Sequence, residues 1–228
     1  MSVVLRSAAL LLATTVGLWG CTDEGAYEDD STERADLRFA SSVEVGDIIL
    51  TNSRGAGCWY LSGFQNAFTG FRYCHAALVI ERTGAYGITT IEAASPTANV
   101  EIFEDRQEEL SGYTGPGTNI VVLRVLDEDG NKLSPEMIDQ VIGRSKEFLF
   151  ASYVPPPIDI DGDPNETGIY CSMLPYRAYF DATGIDLDGF FPGIITPDEL
   201  YKSRHTMVVY ESSPPEPNDP WPNPDEDF

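Results

Sequence analysis

The order of the apolar runs constrains this chain most. Short β-branched segments come early, at 48–51, 75–81, 88–94 and 119–126. Helix-type patterns come late, after Ser134 and around Cys171. Runs of about four to eight residues rich in Val, Ile and Thr read as strands. Strands gathered before helices predict an α+β fold with a mostly antiparallel sheet, since short turns join antiparallel neighbours. Residues 75–81 and 88–94 flank Thr83-Gly84-Ala85-Tyr86-Gly87, a hairpin with a loop of about five residues. Weaker strands are expected at 99–103 and 207–210.

Three helical pieces follow. Ser134-Pro135 supplies an N-cap and a first-turn proline, and Met137, Val141, Ile142, Phe148 and Leu149 form an apolar stripe. A second helix spans about 171–183 and stops at Gly184; a short turn covers 197–201. Pro175 fixes where the second helix starts. Proline lacks an N–H and its ring meets the carbonyl four residues back, so it belongs in the first turn. The helix therefore begins at about Cys171 or Ser172. Residues 52–72, with Trp59, Tyr60, Phe64, Phe68 and Phe71, read as a loop and short helix whose aromatics either join the core or line a cleft.

The termini carry an address. Residues 1–20 hold Arg6 as their one charge and an apolar run to Trp19, too short for a comfortable span, and read as a secretory signal. Leu18-Trp19-Gly20-Cys21 resembles a bacterial lipobox, which makes Cys21 the lipidated first residue of an exported, membrane-anchored envelope lipoprotein. The alternative is an ordinary signal with a coincidental cysteine. Residues 21–38 form an acidic linker, 39–211 one domain, and 212–228 a disordered acidic, Pro-rich tail. A formal net charge of −23 leaves no basic patch for nucleic acid.

The chain has four cysteines and two histidines. With Cys21 lipidated, Cys58, Cys74 and Cys171 form an odd set, which points to a free thiol. Cys58 and Cys74 either pair or sit as small apolar residues. Cys171 falls at the positive end of a helix, where a thiolate is favoured. His75 opens one strand of the hairpin and Glu92 lies on its neighbour, placed to hold one imidazole nitrogen while the other serves the thiol. Taken singly, His75 reads as structural and Glu92 as an exposed carboxylate.

Five motifs occur in order: Gly46-Asp47-Ile48-Ile49, His75-Ala76-Ala77-Leu78-Val79-Ile80, Ile91-Glu92-Ala93, Tyr170-Cys171-Ser172 and Thr196-Pro197-Asp198-Glu199-Leu200. This order resembles permuted papain-like amidases of the YiiX and YaeF type, within the NlpC-like cysteine hydrolase superfamily. The resemblance covers about residues 43–210. It implies a circularly permuted papain-like fold, with a mostly antiparallel sheet or partial barrel against helices. It implies Cys171 as nucleophile, His75 as base, Glu92 as orienting residue and Tyr153 as an oxyanion contact beside the backbone N–H of Cys171. Tyr153 reads equally as a tyrosine packed under its loop. Met173 and Pro175 depart from the family's Cys-Ser-Glu-Leu-Val, which bears on substrate class.

The expected activity is cleavage of an amide through a thioacyl intermediate, with peptidoglycan peptide as the substrate suggested by family and location. Lipid acyl transfer or ester hydrolysis on the same thiol is one alternative, and a non-catalytic envelope-binding lipoprotein is another. The chemistry needs no cofactor. A separate run, Asp159, Asp161, Asp163 and Asn165, has the alternating oxygens of a calcium loop, although Pro164 and Tyr170 replace its glycine and closing acid. A plain acidic loop is the other reading.

Overall fold

The computed structural model describes residues 38–52, 73–84, 87–93, 100–105, 119–152, 169–187 and 195–212. Six strands, β1 (Ile48–Thr51), β2 (His75–Thr83), β3 (Gly87–Ala93), β4 (Val100–Asp105), β5 (Ile120–Val125) and β6 (Thr206–Glu211), form one sheet. Its order is β4-β3-β2-β1-β5-β6 and every neighbouring pair is antiparallel. The expected α+β class and antiparallel sheet are present. The sheet is open, with β4 and β6 at its edges, rather than curled into a partial barrel. The hairpin is tighter than expected: pairing continues to Thr83 opposite Gly87.

Helices α1 (Pro135–Glu147), α2 (Met173–Thr183) and α3 (Pro197–Lys202) pack on one face. Ser134 caps α1, accepting from the Met137 N–H at 3.3 Å. Phe148 and Leu149 lie past its end yet still pack on the core. In α2, Gly184 closes the helix in the left-handed conformation expected of it. Met173, Leu174, Ala178 and Tyr179 are buried against Leu50, Ala76, Leu78, Ile91 and Leu123 of the sheet. Each large side chain so buried contributes about 1.5–3 kcal/mol. Arg144 of α1 bonds Asp181 of α2 at 2.7 and 2.9 Å, fixing the two helices together. The other face carries Ile49, Ala77, Val79, Ile88, Ile120 and Val122, covered by Phe39, Ala40 and Val43 around a helical turn at 38–42.

Gly46 explains the first motif. It has φ +92°, and a Cβ there would stand 2.7 Å from Ile138 Cδ1. Its carbonyl accepts from the Tyr179 hydroxyl of α2. Next to it, buried Asp47 accepts from Arg124 Nε at 2.9 Å and Nη2 at 2.8 Å, tying the entry of β1 to β5. These contacts set the sheet's depth against α2 at the end remote from His75.

Among the described residues no helix is long and apolar enough to cross a membrane. The expectations for residues 1–37, 53–72 and 213–228 lie outside the described residues.

Candidate functional site

Strand ends converge where the site forms. Thr51 ends β1, His75 opens β2, Ala93 ends β3 and Val100 opens β4, and register places these positions at one end of the sheet. Strand alternation puts His75 on the face of Ala77 and Val79, opposite α2.

A bulge decides whether Glu92 joins it. On the turn side Glu81 opposes Thr89, whereas beyond the bulge Val79 opposes Thr90 and Leu78 opposes Ile91. Without that one-residue shift Glu92 would fall opposite Leu78, and the 75–79 stretch of β2 would be turned over, leaving His75 on the helix face away from Glu92. With it, Glu92 shares the face of His75. The result is direct: His75 Nε2 lies 2.8 Å from Glu92 Oε2. Thr90, two residues back on the same face, donates to Glu92 Oε1 at 2.6 Å and fixes the carboxylate. Thr90 was legible in principle, because residues i and i+2 of a strand share a face.

Cys171 approaches from the helical side. It precedes the N-cap Ser172 of α2, so the helix proper starts at Met173 and Pro175 is its third residue. The first-turn placement of Pro175 is as expected. Cys171 is a free, buried thiol, and its Sγ lies 3.9 Å from the Cys74 carbonyl. Cys74 itself is disulfide-bonded. The residues flanking Cys171 are clamped onto one backbone unit. Ser172 Oγ donates to the Ile195 carbonyl at 2.7 Å, and the Ile195 N–H donates to Tyr170 Oη at 3.0 Å. Thr196 and Glu199 then form a reciprocal capping box that starts α3. The Thr-Pro-Asp-Glu-Leu motif thus builds the platform against which the cysteine is held.

Burial alone pushes the His75 imidazole toward its neutral form. Hydrogen bonds to the Cys171 sulfur and to Glu92, with their negative charge, outweigh that and raise its pKa to about 10. Glu92 occupies Nε2, so Nδ1 is the nitrogen left for the sulfur. The three side chains therefore adjoin in the order carboxylate, imidazole, thiol, with the carboxylate–imidazole contact at 2.8 Å. Such a line can generate a sulfur nucleophile and return a proton to a leaving group.

Thr51 was not singled out from sequence. It opposes His75 in the ladder, is buried, and carries the one buried side-chain oxygen without a hydrogen-bond partner among the described residues. Tyr153 and the Asp159, Asp161, Asp163 and Asn165 run lie outside the described residues, as do Cys21 and Cys58. Among the described residues no group of three or more His, Cys, Asp or Glu could hold a metal ion.

Fold and site together define an α+β protein with a cysteine–histidine–glutamate line at the end of an open antiparallel sheet. Among solved structures, the chain is similar to the metalloprotein YiiX of Escherichia coli O157:H7 (DUF1105). The TM-score is 0.52 at 18% identity, over 76% of this chain and 99% of that one. The chain is YiiX-like in fold, as its motif order suggested. No family model matches the sequence, and no curated protein does.

Proposed function

We propose that this chain is an exported, lipid-anchored cysteine hydrolase on a circularly permuted papain-like framework. The observation that carries the reading is His75 bonded to Glu92 at 2.8 Å with the Cys171 sulfur, just ahead of α2, as its other neighbour. Cys171 attacks the carbonyl of an amide after giving its proton to His75. His75 passes that proton to the leaving amine, and the acyl group stays on sulfur until water releases it. Glu92 orients the imidazole and stabilises its charged form. Tyr153 and the Cys171 backbone N–H serve the oxyanion. The YiiX structure carries the name of a metalloprotein, and among the described residues of this chain no group of three or more His, Cys, Asp or Glu could hold a metal ion.

Cell-wall peptide is the substrate this reading favours, supported by the lipobox-like Leu18–Cys21 run and by the YiiX-type motif order. The test is incubation of the mature protein, and of its Cys171→Ala variant, with muropeptides and separately with phospholipid vesicles. The expected result is new amine termini from muropeptides with the parent protein alone. Fatty-acid release from vesicles would move the activity to lipid esters. An inert Cys171 with neither product would make the protein a binding lipoprotein.

A further inference from the structure

Thr51 is an anomaly in its strand. Ile48, Ile49 and Leu50 are apolar and fully buried, and Thr51 follows them at 2% exposure. A valine would fill the same volume. An unpartnered buried hydroxyl costs about 1–3 kcal/mol, a cost that a bound water would offset.

Two neighbours fix where the hydroxyl stands. In the ladder Thr51 is flanked by His75 on one side and Ile120 on the other. Ile120 belongs to the face opposite the helices, the face that His75 and Glu92 share by alternation. Residues directly opposed in an antiparallel pair hold their Cβ atoms about 4.5–5.5 Å apart. The Thr51 hydroxyl therefore stands next to the His75 ring, and a water bonded to one can reach the other.

We infer that Thr51 is a further residue of the site, holding the water that releases the acyl group from Cys171. The inference rests on the hydrolase reading. That water must meet His75, which takes its proton, and a buried water needs about two to four polar partners. Thr51 supplies one that both donates and accepts. In the step, the water oxygen adds to the thioester carbonyl as its proton passes to His75. The carbon–sulfur bond then breaks, the acid leaves, and the proton returns to the sulfur.

Burst kinetics with p-nitrophenyl acetate separate the two half-reactions. Nitrophenolate release reports acylation, and intact mass after quenching reports loss of the acetyl group. Thr51→Val is expected to acylate within about twofold of the parent, to deacylate about tenfold more slowly, as loss of one hydrogen bond in the transition state predicts, and to melt no lower. Thr51→Ser is expected to restore deacylation. Deacylation of Thr51→Val at the parent rate would overturn the assignment. So would a matched loss of both half-reactions with a lowered melting temperature, which marks a packing role. A parent protein that shows no burst overturns the hydrolase reading, and the role of Thr51 with it.

Discussion

Glu92 Oε2 stands 2.8 Å from His75 Nε2, and the contact exists because a bulge in β2 turns His75 onto the face of Glu92. The carboxylate thus sets which imidazole nitrogen meets the sulfur. Glu92→Gln keeps an acceptor for the Nε2 proton and loses the charge, so about a tenfold loss of turnover is expected. Glu92→Ala removes the orientation as well, and a loss of about 100-fold or more is expected, within the range for general acid–base groups. Steady-state kinetics on one amide substrate check the order; equal effects would remove the orienting role.

The raised pKa of His75 has a defined sign. The folded value of about 10 exceeds the ordinary 6.5. Its stabilising contribution is therefore complete below about pH 6.5 and lost as pH rises through about 10. Melting temperatures of the parent and His75→Gln should differ most at acid and neutral pH and converge toward pH 10. Amide turnover, which needs the imidazolium to protonate the amine, should fall over the same alkaline range. Alkylation of Cys171 by iodoacetamide should show no such fall. A gap in melting temperature that widens above pH 8 contradicts the assignment.

Tyr170 and Ser172 grip Ile195 from both sides of the nucleophile. Tyr170→Phe strands the Ile195 N–H, at a cost of about 1–3 kcal/mol for a buried donor. Urea denaturation should register that loss. Acylation of Cys171 should slow even at temperatures where the variant is fully folded, because the platform under the thiol has loosened. Normal acylation in a destabilised variant would confine the clamp to stability.

At the far end of β1, Gly46→Ala meets both a left-handed backbone and Ile138. The tip of Ile138 can swing away, but the φ of +92° cannot relax without moving Tyr179 and Asp47. A loss of about 1–2 kcal/mol is expected from the backbone conformation. An unchanged urea midpoint would show that the turn rearranges freely.

Much of this arrangement was legible because it rests on local rules. The β-branched runs gave the strands, Ser134 and Gly184 marked helix ends, and Pro175 located the start of α2 next to Cys171. The bulge was not legible: nothing in Val79-Ile80-Glu81 announces a one-residue shift, yet that shift aims His75 at Glu92. Thr51 was hidden for another reason. A threonine ending an apolar strand looks ordinary until the ladder shows it opposite His75 with its hydroxyl unpaired. The clamp on Ile195 joins residues more than twenty positions apart in sequence, and pairing at that range follows from packing, which composition does not encode.

The central claim is that His75 activates Cys171. Its most direct test is the rate at which p-nitrophenyl acetate acylates Cys171, with the adduct located by peptide mapping, in the parent and in His75→Gln. The account predicts a burst in the parent, an adduct on Cys171, and a rate at least about 100-fold lower in the variant. An adduct on another residue, or equal rates in the two proteins, would contradict it.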